Sequence, residues 1–253
     1  TALAGLHPWR CLPIVLAVGT NNETLLNDPL YIGINQRRLT GAAYDELLEE
    51  FIEATQVVFP GVVVQFEDFA NHNAFRLLER YRDRLATFND DIQGTAAVAL
   101  AGLMSALRVK GGTLANETLL FQGAGEAATG IADLAVAAMV AEGLPEAEAR
   151  RRCWLVDSKG LVVNVRTDLA HHKQRYAHQH PHVNTLLAAV EALRPTAIIG
   201  VAAVGGAFTQ EVVSAMATIN DRPIVFALSN PTSKSECTAH QAYDWSGGRA
   251  LFN

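Results

Sequence analysis

Short apolar runs alternate with amphipathic stretches along the chain, which is the pattern of an α/β protein. Runs that end in turn residues or acids predict strands at residues 11–18, 62–66, 86–88, 118–122, 153–156, 196–201, 223–228 and 249–252. Helical spacing predicts helices at residues 42–55, 71–84, 94–107, 123–141 and 145–152, and the start of another at 209–211. Residues 1–4 resemble the tail of a helix that begins upstream.

Two pairs of acids follow two of the predicted strands. Glu67 and Asp68 form the first pair, and Asp90 and Asp91 form the second. One intervening helix can bring the pairs together, and three or four carboxylates in one cleft provide the oxygen ligands that Mg²⁺ or Mn²⁺ requires. Alternatively, each pair caps the helix that follows it. The pattern leaves both interpretations open, whereas His72 is interpreted as a polar residue of a first helical turn.

A glycine-rich turn follows the strand at residues 118–122 and opens a long helix. Its residues Gly123, Gly125 and Ala128 match the G-x-G-x-x-A form of the dinucleotide fingerprint. Gly123 permits the tight turn, Gly125 lets the backbone approach a pyrophosphate, and Ala128 allows close packing of helix and strand. The strand-turn-helix context predicts a nucleotide-binding α/β domain.

The second strand of this unit ends in Asp157, the expected acceptor of a ribose 2′-hydroxyl. Ser158, Lys159 and Lys173 follow it, and a hydroxyl and two ammonium groups would suit a 2′-phosphate, which a bare aspartate would repel. A solvated surface would explain the lysines equally well. The histidine-rich stretch at residues 171–182 lacks cysteine partners and is expected to be a solvated loop.

Asn230 follows the strand at residues 223–228, and a loop of small residues at 202–208 follows the strand before it. Ligands of doubly wound folds bind at the carboxyl ends of such strands, so Asn230 is a candidate binding residue, although a turn asparagine before proline is common. The sequence therefore predicts a doubly wound parallel-sheet fold of Rossmann type, preceded by part of a second α/β domain.

Composition narrows the functional classes. The chain has 253 residues, of which 49% are hydrophobic, and its formal net charge of -6 gives no electrostatic reason for binding nucleic acid or an anionic membrane. No apolar run is expected to span a bilayer, and no signal-peptide layout is visible. Cys11, Cys153 and Cys237 are widely separated, which argues against a disulfide framework and for a reducing compartment.

Together these segments resemble the malic enzyme family along essentially the whole chain. The resemblance rests on GTNNETLLNDPLYIG, FEDFANHNAF, TFNDDIQGT, LLFQGAGEAATGIA, WLVDSKGLV, PTAIIGVAA and FALSNPTSK, in this order. It implies oxidative decarboxylation of L-malate to pyruvate and CO₂, with a nicotinamide cofactor and Mn²⁺ or Mg²⁺. It also implies a domain boundary, with residues 1–90 in a partial substrate and metal domain and residues 91–253 in the NAD(P) domain.

The resemblance assigns a role to each candidate residue. Glu67, Asp68 and Asp91 correspond to the metal ligands, and Asp90 to the acid that orients the family's catalytic lysine. Asn230 corresponds to an asparagine that contacts malate and the nicotinamide side. The remaining residues correspond to the dinucleotide site and favour NADP, with NAD possible: Gly123, Gly125, Ala128, Asp157, Ser158, Lys159 and Lys173.

The family's lysine base, its tyrosine acid and a malate-binding arginine correspond to positions upstream of Thr1, and further substrate residues to positions beyond Asn253. We therefore expect a central fragment with negligible turnover alone. Ala17 stands where the family has aspartate. Two alternatives remain, a malolactic-type enzyme that releases no reduced cofactor and a non-catalytic nucleotide-binding fragment. The full-length protein is expected to be an intracellular homo-oligomer, a dimer or tetramer, in the cytoplasm or mitochondrial matrix.

Overall fold

The computed structural model describes residues 5–253, apart from the side chains of Asn71 and His72. The expectations for residues 1–4 and for His72 therefore lie outside the described residues. The chain divides into two compact units, Thr1–Val62 and Val63–Asn253.

In the first unit the predicted helix is confirmed and the predicted strand is wrong. Helices α1 (Glu23–Leu26) and α2 (Ala42–Val58) are present, but residues 5–62 contain no strand. The segment at 11–18 ends in a single backbone hydrogen bond from Leu39 N to Val18 O, 2.8 Å, and Val15 is 89% exposed. An apolar run becomes a strand only where a second strand pairs with it, and none does so here.

The second unit opens with a pair of short parallel strands, as predicted. Strand β1 (Val64–Phe66) leads into helix α3 (Asn71–Tyr81), and strand β2 (Thr87–Asn89) returns beside β1. A five-residue π-helical turn, Asp90–Gly94, then joins β2 to helix α4 (Thr95–Lys110). Gly111, with a φ of 84°, is the C-cap of α4.

The rest of the unit forms a six-stranded sheet of order β5-β4-β3-β6-β7-β8, and every neighbouring pair except β4 and β5 is parallel. Its elements, in chain order, are β3 (Leu119–Gln122), α5 (Glu126–Ala141), α6 (Glu146–Arg151), β4 (Cys153–Asp157), β5 (Gly160–Leu161), α7 (His171–Gln174), α8 (Leu186–Leu193), β6 (Ala197–Gly200), α9 (Gln210–Ile219), β7 (Ile224–Ala227), α10 (Ala239–Ser246) and β8 (Leu251–Phe252). The predicted doubly wound α/β fold is confirmed. Helices α8 and α10 and strand β5 were not predicted.

Each face of the sheet carries its own core cluster, because successive side chains of a strand point to opposite faces. On β3, Leu119 and Phe121 pack into the cluster with α4 and α5. Leu120, between them, packs into the cluster with α8 and α9. The chain order reverses between β3 and β6, so the carboxyl ends of these two neighbouring strands form the switch point where doubly wound folds bind ligands.

One helical stretch corrects an expectation about membranes. Asp90–Lys110 is long and apolar enough to cross a membrane by length and composition alone, so the prediction that no apolar run reaches that length was wrong. This is weak evidence for a membrane, because the core helix of a soluble protein passes the same test. Ala99 and Leu103, on this stretch, are fully buried in the core of the unit.

Candidate active site

The two acidic pairs leave the β1-β2 pair side by side. Phe66, the last residue of β1, is in register with Asn89, the last residue of β2. The next residues along the two strands are therefore Glu67 and Asp90, each followed by a second acid. Parallel pairing thus brings together the four acids that sequence analysis singled out.

Helix capping does not explain the first pair. The N-cap of α3 is Ala70, and no side chain caps that helix. After β2 it is Asn89 that caps the π-helical turn, because its Oδ1 accepts a hydrogen bond from Ile92 N at 2.9 Å. Neither pair supplies the capping side chain, although Asp90 and Asp91 do lie in the first turn of the π-helical segment, where the helix dipole favours acids.

The acids around this turn influence each other's ionisation. Burial raises the pKa of Glu67, and the charges of Asp91, Asp90 and Asp68 raise it further, against a hydrogen bond from Gln65. Burial also raises the pKa of Asp91, as do Asp68 and Asp90, although a hydrogen bond from the backbone N–H of Asp68 lowers it. Like charges therefore accumulate at this corner of the molecule.

The donor set suits a hard divalent cation, although the side chains do not form a closed cage. Among the described residues, no three His, Cys, Asp or Glu side chains are grouped closely enough to hold a metal ion as they stand. The candidate ligands offer only carboxylate oxygens, which Mg²⁺ and Mn²⁺ prefer. Burial and, after it, the charges of neighbouring acids raise the pKa values of Glu67 and Asp91, and a bound cation would offset that repulsion. Asp68 has a φ of 56°, a conformation uncommon outside glycine and often found at functional sites.

Asp90 folds back over its own turn. A Cβ at Gly94 would lie 2.2 Å from Asp90 Oδ1, so the carboxylate occupies the space that any larger residue would need. Gly94 thus leaves the space that this carboxylate occupies, whereas Asp91 accepts a hydrogen bond from the backbone N–H of Asp68, just after β1.

The glycine-rich turn has the geometry that its sequence predicts. Gly123 has a φ of 133°, and a Cβ there would lie 3.1 Å from the carbonyl of Val201 on β6. Gly125 is the N-cap of α5, and no side chain caps this helix. The start of α5 thus has no N-cap side chain between the helix terminus and a pyrophosphate, which helix N-termini bind. Ala128 is fully buried in the core.

Two residues of α5 that sequence analysis did not single out connect this turn to the acids. Glu126 is only 8% exposed, and burial followed by the charge of Asp91 raises its pKa to about 7. A Cβ at Gly130 would lie 2.4 Å from Ile92 O, so helix and π-helical turn touch backbone to backbone. The helix that carries the fingerprint therefore packs directly on the turn that carries Asp91.

Asp157 lies at the end of β4, as predicted, but it is already paired. Its oxygens accept hydrogen bonds from Arg166 at 2.8 Å, from Lys173 at 2.8 Å and from the backbone N–H of Lys159 at 2.9 Å. Burial alone would raise the pKa of Asp157, but these hydrogen bonds lower it to about 2. The Nζ of Lys159 pairs instead with Asp168, 2.7 Å, and both cations predicted from the sequence are thus held in ion pairs.

Arg166 is the residue of this group that sequence analysis missed. It makes a bidentate contact with Asp157 and also binds Asp168, and its side chain is 8% exposed. The β4-β5 hairpin returns the chain to Asp157, so a residue nine positions later becomes its main partner. The signal available in the sequence was a basic residue a few positions after the turn that joins two strands. Ser158 is exposed beside the group.

The histidine-rich stretch is not the solvated loop that its polarity suggested. His172 stacks on Phe75 with ring centroids 5.4 Å apart, and its Nε2 lies 3.2 Å from Ala124 O in the glycine-rich turn. His178 Nε2 lies 2.9 Å from Cys153 O, and Tyr176 is fully buried. These contacts are made with residues distant in sequence, which a local polarity pattern cannot indicate.

Asn230 is exposed at the carboxyl end of β7, next to the loop at 202–208 that follows β6. This loop and the turn after Asn230 touch, because a Cβ at Gly205 would lie 2.6 Å from Ser233 O. The two segments follow β6, which is adjacent to β3, and β7, which is adjacent to β6, and they lie at the same end of the parallel strands as Gly123. Ala17, in the first unit, is exposed, and nothing in the structure explains its identity.

Comparisons with known proteins show which proteins this chain resembles. Among curated proteins, the chain is 56% identical over its full length to the NADP-dependent malic enzyme of Homo sapiens and to the mitochondrial NADP-dependent malic enzyme of the same species. It spans 44% and 42% of those two proteins, less than half of each.

Solved structures show the same likeness in fold. The malic enzyme of Entamoeba histolytica matches with a TM-score of 0.64 at 26% identity, covering 79% of this chain and 40% of that one. The NAD-dependent malic enzyme of Thermotoga maritima matches with a TM-score of 0.67, covering 85% of this chain and 54% of that one. Its sequence identity is 21%, so this match supports the fold alone.

Two family models cover the chain almost end to end. The malic enzyme N-terminal domain matches residues 1–82, and the malic enzyme NAD binding domain matches residues 92–253. Since the second model alone spans well over half of the residues, the chain belongs to the malic enzyme family.

Proposed function

We propose that the whole protein to which this chain belongs oxidatively decarboxylates L-malate to pyruvate and CO₂, reduces NADP⁺ and depends on Mn²⁺ or Mg²⁺. One observation carries the proposal. The turn that bears Asp91 packs against the helix that bears the dinucleotide fingerprint, backbone against backbone at Gly130. A metal-binding carboxylate and a hydride acceptor are the two groups that this reaction needs close together.

Glu67, Asp68 and Asp91 would hold the divalent ion. When bound, such an ion would supply Lewis-acid chemistry, which favours loss of a proton from a hydroxyl and stabilises negative charge that develops on oxygen. Asp91, tied to the backbone of Asp68 through its carboxylate, keeps the strand end and the turn together around the ligand set. Asp90, held over Gly94, would orient the lysine that takes the hydroxyl proton.

The dinucleotide would lie along the carboxyl edge of the sheet. Gly123 and Gly125 would bring the backbone to its pyrophosphate, and the tight packing of Ala128 would keep the helix close to the sheet. NADP⁺, when bound, would supply the hydride acceptor for the oxidation. Asn230, exposed after the carboxyl end of β7, would contact malate and the nicotinamide side.

The charges around Asp157 support NADP over NAD. Arg166 and Lys173 both pair with Asp157, so the acid no longer presents an uncompensated negative charge to a 2′-phosphate. Lys159 and Ser158 lie beside it, and with Asp168 included the group carries one net positive charge. Three cations against two acids suit a phosphate better than a neutral hydroxyl.

The proposal includes a domain boundary and a setting. Residues 1–90 would belong to the substrate and metal domain, residues 91–253 to the NAD(P) domain, and the whole protein would be a homo-oligomer. An intracellular residence agrees with the mitochondrial name of one relative.

The experiment is an assay of the whole protein for malate-dependent NADPH formation with Mn²⁺, alongside Asp91→Asn. Loss of one carboxylate ligand should weaken Mn²⁺ binding about 100-fold or more and remove most of the turnover, because metal affinity depends on ligand number and charge. Titration of Mn²⁺ followed by electron paramagnetic resonance measures the binding directly.

Asp221→Asn is the matched control, since Asp221 is exposed and lies outside the acidic cluster. It should keep wild-type values in both assays. Conversion of malate to lactate without released NADPH would instead favour a malolactic-type reaction. Unchanged Mn²⁺ affinity in Asp91→Asn would refute the ligand assignment.

A further inference from the structure

Glu236 is a fully buried acid at the carboxyl edge of the sheet, where the candidate substrate residues lie. It is 0% exposed and follows the short turn Thr232–Lys234 after β7. No ion pair among the described residues involves it. Burying a carboxylate without an opposite charge is costly unless hydrogen bonds compensate.

Those hydrogen bonds come from one residue, Ser229. Its hydroxyl donates to Glu236 Oε1 at 2.5 Å, and its backbone N–H donates to Oε2 at 3.3 Å. Both carboxylate oxygens therefore serve to hold the residue that directly precedes Asn230. Hydrogen bonds to a charged carboxylate are stronger than those between two neutral groups, so this contact restrains Ser229 more than a neutral hydrogen bond would.

The acid also fixes the end of β6. A Cβ at Gly200, the last residue of that strand, would lie 2.2 Å from Glu236 Cδ and 2.6 Å from Oε2. Glu236 therefore fills the place of a side chain on β6 while it holds Ser229 after β7. One side chain thus joins the ends of two adjacent strands.

The loop that follows β6 depends on the same pair. Ser229 Oγ accepts a hydrogen bond from Ala203 N at 2.9 Å, and Ala203 has a φ of 53°. At the other end of this loop, Phe208 N donates to the backbone oxygen of Glu236 at 3.1 Å. The loop at 201–208 and the turn at 228–236 are therefore held together by Ser229 and Glu236.

We propose that Glu236 is a positioning residue for the substrate end of the site: its carboxylate holds Ser229 and thereby sets the place of Asn230 and of the loop at 201–208. The inference rests on the proposed function, because the position of Asn230 affects the reaction only if Asn230 contacts substrate. Glu236 touches neither substrate nor cofactor in this role. Small displacements of such contacts cost large factors in rate.

The test compares Glu236→Gln, Ser229→Ala and the double variant in the whole protein. Each single variant should lower kcat/KM for malate about tenfold, with KM for malate rising more than KM for NADP⁺. The double variant should be no worse than the more damaged single variant, since both changes break one link. Ser229→Thr, which keeps the hydroxyl, should recover most of the loss.

Glu117→Gln is the matched control. Glu117 is 3% exposed and pairs with Lys110 at 2.7 Å near the start of β3, at the opposite edge of the sheet from Asn230. Its substitution should lower Tm and leave the kinetic constants unchanged, which separates positioning from a general loss of stability.

Two results would overturn the inference: kinetic constants at Ser229→Ala and Glu236→Gln that match the Glu117→Gln control, or losses that multiply in the double variant. If Glu236→Gln does not fold, Ser229→Ala and Ser229→Thr decide alone. A wild-type protein without malate-dependent NADPH formation would refute the proposed function itself, a different outcome from an active enzyme that ignores these substitutions.

Discussion

Two groups of carboxylates lie at strand ends of the same unit, and their electrostatic situations are opposite. At the end of β4, Asp157 is surrounded by cations and its pKa is lowered to about 2. After β1 and β2, burial raises the pKa values of Glu67 and Asp91, and neighbouring acids raise them further. The first group is complete in the sense that each of its acids has a cation partner within the chain, with one positive charge in excess. The second group places acids close together, and a cation from outside would neutralise their charge.

The two groups are therefore expected to contribute to different properties, the first to the stability of the fold and the second to ligand binding. A group whose acids are paired with cations within the chain stabilises the fold, so the loss of a pair should appear in unfolding experiments. A group with uncompensated like charge stabilises nothing until a ligand arrives, so its loss should appear in binding experiments. The following substitutions test that division, from the largest expected effect to the smallest.

Arg166→Ala should break the complete group. It removes the bidentate partner of Asp157, which is about as buried as Arg166 itself, and leaves Lys173 to balance the acid. We expect a loss of about 2 kcal/mol in the free energy of unfolding, measured by urea denaturation. Arg37→Ala is the control, because its partner Glu23 and Arg37 are both well over half exposed, and it should cost below about 0.5 kcal/mol. Equal losses in the two variants would contradict the comparison.

Lys173→Ala should reduce the discrimination between the two dinucleotides. The variant keeps the Arg166 contact and removes one positive charge beside the proposed 2′-phosphate. We expect KM for NADP⁺ to rise about tenfold and KM for NAD⁺ to stay within about twofold, in steady-state assays of the whole protein. Equal changes in KM for both cofactors would show that Lys173 supports the fold rather than recognising the 2′-phosphate.

Acid should weaken the complete group in a defined window. A carboxyl whose pKa is lowered on folding contributes stability above its ordinary pKa of 3.8 and loses it as the pH falls through about 2. After solvent screening, the contribution is about 1 kcal/mol. Urea midpoints measured between pH 4.5 and pH 2.5 should therefore fall more steeply for the wild type than for Asp157→Asn. Parallel curves would show that Asp157 does not contribute to the pH dependence of stability.

Glu126→Gln should relieve part of the uncompensated charge. The pKa of Glu126 is raised to about 7, so its carboxyl is mostly neutral at pH 6 and charged at pH 8, next to the proposed pyrophosphate site. In metal-free titrations followed by NADPH fluorescence, we expect affinity about threefold tighter than wild type at pH 8 and equal at pH 6. Glu211→Gln, in the first turn of α9 and exposed, should change neither value.

Local patterns predicted the elements whose partners are neighbours in sequence. Gly123 and Gly125 determine a turn and a helix start within a few residues, and Asp91 follows its strand directly. These features depend on backbone conformation and short-range periodicity, which a sequence displays. The family resemblance then assigned them roles that local chemistry left open.

The features that sequence analysis missed depend on distant contacts. Arg166 meets Asp157 only because β5 turns back, and Glu236 meets Gly200 only because β6 and β7 are neighbours. His172 looked solvated because nothing nearby in sequence reveals Phe75. The predicted strand at residues 11–18 failed for the complementary reason, since its pattern was suitable but no partner strand exists within residues 5–62. In each case a partner distant in sequence, rather than local propensity, determined the structure.

The contact between Gly130 and Ile92 O sets the distance between two segments of the candidate site. Because glycine has no side chain, helix α5 lies closer to the turn that carries Asp91 than any larger residue at position 130 would allow. The spacing between the acid at the turn and the start of the helix is therefore a property of the folded chain, present before any ligand binds.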